Sequence, residues 1–572
     1  MRRISQCCGV VAGALLAATS VALIPTGASA QSAEPVGAEE AQAWREDLAQ
    51  FAHYLTTAHG DVYHTVSPEY FEAMVSAMHD RIPDLSRHEI IVELQRIAAA
   101  VGDGHTAVML FFDEHVGFHQ LRVRLDWFEE GIFVTDARQD SGVTPGSRIV
   151  AIGGVAIDEA IRRVTPLISR DNDIWIRVMA PMLLGSPEVL HAVGLSDDPR
   201  SAVLTVEFDH GRSDIFVRSR DEPFVISHGQ SAEHEMAAGW INAREASGAP
   251  TPLSQRHPDV PYWFEYLPDE RVLYIQYDMV NNAAHGPGVH AFFAQALAVL
   301  DQRPVERVAI DIRSNSGGEG MLNTEVVRML IRRPELSSPG RLIVIVGRRT
   351  FSAAQALAHD LDLWTEAVFI GEPTGSTPQF WGDHRFTHLV NSGIGVSASP
   401  TWWQPGGPYD QRDFLPPQLA FEPRFTDYIA GRDPAVEAIL AWDQGLLELN
   451  LSLDERMIAA LAAGESAAAG EVADAARTWD ANPVHQYRPT TTELNRAGYA
   501  LLNDGHEEAA ITVFRVNVQL HPEYANGWDS LGEALLRVGK REEGLAAYRR
   551  AFEIDPGVGR AAAVLGSDRD AH

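Results

Sequence analysis

The chain has 572 residues, with 46 lysines and arginines against 78 aspartates and glutamates, and its formal net charge is −32. A surface this acidic repels phosphate backbones and anionic headgroups, which argues against nucleic acids and acidic membranes as partners. The two cysteines, Cys7 and Cys8, both lie in the first thirty residues. We therefore expect no disulfide, thiol chemistry or Cys-ligated metal in the rest of the chain.

Residues 1–30 are predicted to be a signal peptide. Arg2-Arg3 forms a basic start, residues 10–24 are largely apolar, and Ala28-Ser29-Ala30 offers a small-residue cleavage site. The apolar run is too short to span a bilayer comfortably, and no later stretch reaches the roughly twenty apolar residues of a transmembrane helix. We expect a periplasmic or secreted protein without a transmembrane segment, whose net charge after cleavage is −34 because two arginines are lost. An uncleaved anchor is the alternative.

Residues 31–115 are predicted to form an N-terminal helical domain. Apolar residues return every three or four positions over residues 38–58 and 68–100, which indicates amphipathic helices, and Ser67-Pro68 and Asp84-Leu85-Ser86 supply helix-start signals. A glycine-flanked loop, Gly102-Asp103-Gly104-His105-Thr106, follows these helices. His105 is suited to act as a general base near neutral pH, and a surface histidine in a turn is the alternative.

In the next region, residues 116–250, several segments alternate between apolar and polar residues. We predict that this region is rich in β-structure. Strands are expected at residues 122–127, 131–135, 149–152 and within 202–217. The run Ser141-Gly142-Val143-Thr144-Pro145-Gly146 is typical of a turn between them.

Residues 251–445 alternate between strand and helix patterns. Strands are predicted at residues 272–275, 308–312, 342–346 and 367–370, and helices at 288–302, 321–331 and 352–363. This alternation indicates an open α/β core.

Two turns in this core have the composition of a hydrolytic site. Ser352 follows a predicted strand and opens a helix, so its hydroxyl would lie beside the free N–H groups at the positive end of that helix. An N-cap serine is the structural alternative. Gly317 and Gly318 follow the strand at residues 308–312, and paired glycines let backbone N–H groups approach a ligand closely.

The C-terminal part contains an internal repeat. Pairs of equivalent residues recur 34 positions apart: Leu494 and Trp528, Gly498 and Gly532, Gly505 and Gly539, Pro522 and Pro556. This period and pattern predict two tetratricopeptide repeats over residues 491–565, after a helical linker at 446–490 with helices at 440–461 and 467–479. Two repeats are few for an independent solenoid, so we expect them to pack on the preceding helices and to offer a docking surface for a protein partner.

Two pairs of histidines have a spacing that metal sites also use. His115 and His119 are separated by a segment that Gly117 interrupts, and His384 and His388 lie in a stretch predicted as one strand, residues 385–396. Neither pair has an evident third ligand nearby. We predict no metal and no cofactor.

The motifs of residues 90–440 together resemble the tail-specific (C-terminal processing) protease family. The matching segments are Asp103-Gly104-His105-Thr106, Asp311-Ile312-Arg313-Ser314-Asn315-Ser316-Gly317-Gly318, Phe351-Ser352-Ala353-Ala354, Ile370-Gly371-Glu372-Pro373-Thr374-Gly375 and Gly431-Arg432-Asp433-Pro434. The resemblance implies a crotonase-like α/β hydrolytic core with a PDZ-like insert in the β-rich region, most clearly at residues 121–165. A purely structural strand insert is the alternative.

The sequence departs from this family at the usual base. Bacterial members pair the serine with a lysine further along the chain, whereas the corresponding stretch here is Thr374-Gly375-Ser376-Thr377-Pro378-Gln379, and Lys540 is the only lysine. A Ser–Lys dyad is therefore excluded. A serine still needs a base, and the resemblance implies the tricorn-like variant in which a histidine accepts the proton.

This variant implies a role for each candidate residue. Ser352 would be the nucleophile, His105 the base, and Asp413 or Asp410 the acid that orients His105; both aspartates precede Leu415-Pro416-Pro417, a loose match to the family's Pro-Asp-Ile site. The backbone N–H of Ala353, with that of Gly317 or Gly318, would bind the oxyanion. An ordinary histidine base would titrate at a pKa of about 6.5.

The expected function is that of an exported serine-type peptidase. It would hydrolyse peptide bonds of a peptide or protein substrate through an acyl-enzyme, and the repeats would dock the substrate or a partner. The alternatives are a non-catalytic ligand- or partner-binding protein on the same fold, or a core that serves as a platform for the repeats.

Overall fold

The computed structural model describes residues 33–208, 211–226, 239–405, 410, 412–442, 457 and 469–570. The predicted signal peptide lies outside the described residues, as does most of the helix predicted at residues 440–461. Within the described ranges, no helix combines the length and apolarity needed to cross a bilayer.

The N-terminal region consists of three helices, α1 (Ala38–Ala58), α2 (Pro68–Arg81) and α3 (Arg87–Ala100). The prediction for α1 is confirmed, and residues 68–100 are helical with a division near the start signal predicted at Asp84-Leu85-Ser86. A short 3₁₀ turn, Ile82–Asp84, separates α2 from α3. Pro83 restricts the residue before it and lacks an N–H, and Ser86 starts a new helix through a capping box with Glu89.

A seven-stranded antiparallel sheet follows, after the two-residue strand β1 (Ala107–Val108). Its strands are β2 (Val123–Phe128), β3 (Gly131–Arg138), β4 (Arg148–Ile152), β5 (Val155–Ala156), β6 (Ser201–Phe208), β7 (Gly211–Arg218) and β8 (Trp240–Asn242). The helices between and after them are α4 (Ile157–Val164), α5 (Ile176–Leu184), α6 (Pro187–Ala192) and α7 (Ala243–Ser247). The order is β2-β3-β4-β6-β7, with β5 on β4 and β8 on β3. This sheet and helices α1–α3 share one continuous hydrophobic core.

The α/β region is built on a six-stranded sheet. In chain order its first strands and helices are β9 (Tyr262–Leu267), β10 (Val272–Tyr277), α8 (Val289–Leu297), α9 (Val299–Gln302), β11 (Arg307–Asp311), α10 (Asn323–Ile331), β12 (Leu342–Val346), α11 (Ala353–Trp364) and β13 (Val368–Gly371). Strands β10 to β13 are parallel, and β9 is antiparallel to β10. Every residue of β10 and β12 is buried, as expected for strands covered on both faces.

Two small sheets and the end of the core follow. Their elements are β14 (Phe380–Gly382), β15 (Arg385–His388), β16 (Gly395–Ala398), β17 (Thr401–Trp403), β18 (Leu419–Ala420), α12 (Phe425–Ile429) and α13 (Pro434–Leu440). Strand β18 completes the large sheet beside β13, while β14 pairs with β17 and the order β1-β16-β15 forms a third sheet. The single strand predicted over residues 385–396 is wrong, because the chain reverses between Leu389 and Ile394 with Gly393 at φ 75°.

The layers of the large sheet place the site at one edge. Helices α8, α10 and α11 pack on one face, and α13 packs on the other. Because the strands from β10 to β13 are parallel, their carboxyl ends meet at the same edge, where such sheets bind ligands.

The described part of the tail is helical: α14 (Ala469–Asp480), α15 (Thr490–Asn503), α16 (Glu507–Leu520), α17 (Ala525–Arg537), α18 (Arg541–Ile554) and α19 (Ala561–Asp570). Two of the repeated glycines, Gly498 and Gly532, leave room for an aromatic ring. A Cβ at Gly498 would lie 2.4 Å from the ring of Phe514, and one at Gly532 would lie 2.8 Å from the ring of Tyr548. Each glycine therefore admits an aromatic ring from the following helix.

The start of the tail also contacts the α/β region. Val484 packs against the face of the large sheet that α13 covers. The Tyr487 hydroxyl donates to Glu422, just after β18.

Candidate active site

Ser352 lies in a strained turn between β12 and α11. Its backbone has φ 53° and ψ −124°, a region that non-glycine residues rarely adopt. The turn is held from both sides: the Thr350 hydroxyl donates to the carbonyl of Ile312 (2.9 Å), and the N–H of Phe351 donates to the carbonyl of Asn315 (3.1 Å). These bonds fix the serine at the start of α11, at the carboxyl edge of the sheet.

The structure brings His105 to this serine from 247 residues earlier in the chain. Nε2 of His105 lies 2.9 Å from Oγ of Ser352. The loop that carries His105 is ordered by Asp103, whose Oδ1 accepts from the N–H groups of His105 and Thr106, both at 2.8 Å. Ser399 also donates to Oδ1 of Asp103 (2.8 Å), which fastens the loop to the chain after β16.

Aromatic rings enclose the imidazole of His105. The ring centroid lies 4.7 Å from that of Phe351, 5.8 Å from that of Phe380 and 5.7 Å from that of His384. Burial lowers the pKa of His105 to about 4; His384 acts in the same direction, while the Asp103 carboxylate and the Trp381 backbone oppose the shift. The imidazole is therefore neutral at pH 7 and able to accept a proton.

The predicted orienting acids do not contact His105 in the described structure. The carboxylate of Asp410 is engaged by Arg412 (2.7 Å) and lies 3.5 Å from Nδ1 of the buried His359. Asp413 accepts a bond at its backbone carbonyl from Asn172 (2.8 Å). Among the described residues, no group forms a hydrogen bond of ordinary geometry with Nδ1 of His105. The Trp381 backbone raises the pKa of the imidazole.

The glycine turn lies directly against the nucleophile. A Cβ at Gly317 would be 2.7 Å from Cβ of Ser352 and 2.9 Å from N of Ala353, so only glycine leaves this space open. The N–H of Gly317, however, donates to the side chain of Asn315 (2.9 Å) and is already used. The N–H of Gly318 takes no part in the bridge to Val280, which uses the carbonyl of Gly317 and the N–H of Glu319. Gly318 is therefore the better partner for the free N–H of Ala353 at the helix start.

A buried ion-pair network supports this turn from below. Arg313 contacts Asp311 (2.6 Å) and Asp433 (3.0 Å), and the Tyr274 hydroxyl donates to Asp311 (2.7 Å). Asp433 also accepts from the N–H of Val436 at the start of α13. The motif around Asp433 thus joins α13 to the strand that leads into the glycine turn.

Sequence reasoning missed one carboxyl group beside the histidine loop. Asp171 accepts from the N–H of Gly104 (2.7 Å) and from the hydroxyl of Ser376. The available signal was the polar run Arg170-Asp171-Asn172-Asp173 between two helices. Its partners lie at distant positions, so the run alone does not reveal its place in the site.

The histidines considered as metal ligands contact other side chains in the structure. His115 pairs with Asp113 (2.8 Å), His119 pairs with the buried Glu188 (2.6 Å), and the ring of His384 packs edge-on against Phe386. Within the described ranges, no group of three potential metal ligands occurs.

Comparison with known proteins gives similarity at the level of structure. No family model matches the sequence. No curated protein matches it either. The chain is similar to the solved structure of mature CPAF complexed with lactacystin, at 12% identity over 72% of this chain and 99% of that chain, with a TM-score of 0.50. This similarity shows a shared fold over most of the chain.

Two further solved structures are more distant. One is the photosystem II D1 C-terminal processing protease, at 14% identity over 68% of this chain and 98% of that one, with a TM-score of 0.34. The other is the tricorn protease, at 13% identity over 72% of this chain and 37% of that one, with a TM-score of 0.32. Both TM-scores are too low to carry an argument about this chain.

Proposed function

We propose that the chain is an exported serine-type peptidase of the tail-specific protease family, in a tricorn-like variant with a histidine base. The observation that carries the proposal is the 2.9 Å approach of His105 Nε2 to Ser352 Oγ at the carboxyl edge of the parallel sheet. The strained turn at Ser352, the neutral imidazole and the fold shared with CPAF support it. The substrate would be a peptide or protein.

In the proposed reaction, Oγ of Ser352 attacks the carbonyl carbon of the scissile bond while its proton passes to Nε2 of His105. The N–H groups of Ala353 and Gly318 would bind the oxyanion that forms. The intermediate collapses to an ester on Ser352, and His105 gives its proton to the departing amine. Water then attacks the ester, with His105 as base, and releases the acid and the free serine.

A carboxylate would stabilise the imidazolium that forms on His105. Asp103 lies in the same loop, and its carboxylate favours the charged form of His105. Asp410 and Asp413 stay as proposed orienting residues, but in the described conformation Asp410 is held by Arg412.

The test is covalent labelling with a fluorophosphonate probe, which reacts only with an activated serine. We expect the parent protein to label and Ser352→Ala not to, with His105→Gln slowed by about 10³-fold or more. Ser338→Ala, which removes an exposed hydroxyl just before β12, is the matched control and should label at the parental rate. Labelling of Ser352→Ala at the parental rate would refute the assignment.

The alternative, a non-catalytic ligand- or partner-binding protein on the same fold, has one observation in its favour. Among the residues that the structure describes, Nδ1 of His105 has no acidic partner of the kind that completes a triad. This alternative predicts a folded parent protein that does not label at any pH between 5 and 9.

We also propose roles for the flanking regions. Residues 491–565 would form two tetratricopeptide repeats that dock a substrate or partner, and the glycine–aromatic contacts at Gly498 and Gly532 support this reading. The β-rich region would be a PDZ-like insert, and residues 1–30 would direct export to the periplasm or the exterior. The acidic charge argues against nucleic acid as a partner.

A further inference from the structure

Asp171 joins two loops that meet at the candidate nucleophile. Its Oδ1 accepts from the N–H of Gly104, the residue before His105, at 2.7 Å. Its other oxygen accepts from the hydroxyl of Ser376, in the loop that follows β13. These two loops are 272 positions apart in the chain, and Asp171 is a single side chain that bonds to both.

The contact at Gly104 is tight. A Cβ at this position would lie 2.5 Å from the ring of Phe351 and 3.2 Å from Oδ1 of Asp171. The Gly104 backbone is therefore pressed between the carboxyl group and the ring. That ring packs on the imidazole of His105 (4.7 Å) on one side and on Trp175 (4.5 Å) on the other.

The charges around Asp171 are unbalanced. The histidine loop contributes the carboxylate of Asp103, and the loop after β13 contributes only the neutral hydroxyl of Ser376. The neighbouring Arg170 is paired with the exposed Asp173 at 2.9 Å. Within the described ranges, no basic side chain forms an ion pair with Asp171. Burial raises the pKa of Asp171 to about 7, and the Asp103 carboxylate adds to the shift, while bonds from Ser376 and Gly104 oppose it.

We propose that Asp171 is a positioning residue for His105: it fixes the backbone of the histidine loop at Gly104 and ties that loop to residues 374–377 through Ser376. The inference rests on the proposed function, because it concerns the alignment of His105 with Ser352. Loss of this anchor would let the loop shift, and a displacement of about 1 Å between reacting groups can cost about 10²-fold in rate.

The test measures the rate of fluorophosphonate labelling from pH 5 to 9 in Asp171→Ala, Asp171→Asn and Ser376→Ala. Asp173→Asn, an exposed neighbour, is the matched control. Asp171→Ala should lower the maximal labelling rate by about 10²-fold with little change in the probe concentration for half-maximal rate. Asp171→Asn keeps an acceptor for Gly104 and should recover most of that loss. Ser376→Ala should lose less than Asp171→Ala.

The pH profile separates positioning from simple packing. In the parent, the labelling rate should rise modestly as pH passes through about 7, because the ionised carboxylate of Asp171 accepts stronger hydrogen bonds from Gly104 and Ser376 and so holds the histidine loop more firmly. Asp171→Asn cannot ionise and should lack this inflection. Equal losses in Asp171→Ala and Asp171→Asn, or an unchanged inflection in Asp171→Asn, would overturn the proposal.

Thermal melting supplies a readout independent of the chemistry. A carboxyl whose pKa is raised on folding loses stability as pH rises from its unfolded value towards 7, so Asp171→Asn should gain in Tm relative to the parent between pH 5 and 8. Failures of the two proposals differ. If the parent labels, Ser352→Ala does not, and Asp171→Ala labels like the parent, only the role of Asp171 is refuted. If the parent itself fails to label, the proposed function falls and this inference with it.

Discussion

At the scale of single residues, the environment of His105 sets the pH range in which the site can work. An ordinary histidine becomes protonated, and so can no longer act as a base, as the pH falls through about 6.5. Enclosure by aromatic rings lowers the pKa of His105 to about 4. The imidazole should therefore stay neutral at pH values well below about 6.5, the value expected from the sequence alone.

We predict that the main acid limb of the labelling rate at Ser352 lies near pH 4, below the smaller inflection assigned to Asp171. Replacing Phe380 with Ala opens one wall of the enclosure and should move this limb towards pH 6.5, since water can then solvate the imidazolium. The measurement is the pH dependence of the labelling rate constant. An acid limb that stays near pH 6.5 in the parent would show that the imidazole is hydrated and that the described enclosure does not form.

Gly317 provides a second prediction at this scale. An added Cβ would meet Ser352 and Ala353, and the φ of 106° is unfavourable for any L side chain. Gly317→Ala should lower labelling by about 10²-fold. Gly320→Ala is the control, because its nearest neighbour would be Cβ of Ala353 at 3.7 Å. Equal labelling of both variants would mean that the space beside the nucleophile is not restricted.

Single residues also show what sequence could predict. Ser352 and the glycine turn were recognisable because strand, turn and helix signals lie within a few residues of each other. His105 was recognisable only through its glycine-flanked loop, which the structure places on the serine. Asp171 was missed, since its contacts depend on how distant loops pack.

At the scale of elements, the helical tail has a packing rule that can be tested. Gly532 receives the ring of Tyr548, and any larger residue must push the two helices apart. Gly532→Val should destabilise the tail by about 1–3 kcal/mol, as overpacking does in other cores. Gly566→Ala in α19 is the control, since a Cβ there has no neighbour within 4 Å. The comparison uses chemical denaturation followed by helical circular dichroism; equal midpoints would contradict the rule.

Element boundaries explain the wrong strand prediction over residues 385–396 and the division of the helical residues 68–100. Residues 68–100 have a helical period throughout, but Pro83 and the capping box at Ser86 divide them. Residues 385–396 have a strand-like composition, but the reversal at Gly393 makes two antiparallel strands. The start signal at Asp84-Leu85-Ser86 indicated the first division, whereas the average pattern over residues 385–396 hid the reversal at Gly393.

At the scale of the whole molecule, buried histidines link stability to pH. His88 in α3 is fully buried beside His191, and burial with that neighbour lowers the pKa of His88 to about 4. His105 behaves alike. An unfolded chain takes up protons at these positions from about pH 6.5 downward, whereas the folded chain does so only near pH 4.

We therefore predict that the free energy of unfolding falls as pH drops from 6.5 to 4, by roughly 1–3 kcal/mol for each buried histidine. Urea midpoints at pH 7 and pH 5 measure this change. His88→Gln should show a weaker dependence than the parent, and His79→Gln, an exposed histidine in α2, should match the parent. Identical pH dependence in all three proteins would show that the buried histidines are not the cause.

The pairing of β1 with β16 has a consequence for the order in which the molecule matures. Ala107 pairs with Ser397, and the Ser397 hydroxyl donates to the carbonyl of His105 (2.7 Å). A growing chain emerges with its N-terminus first. The histidine loop can therefore pair with β16 only after nearly three hundred further residues have been synthesised. The contact between His105 and Ser352 is therefore completed late in the formation of the molecule.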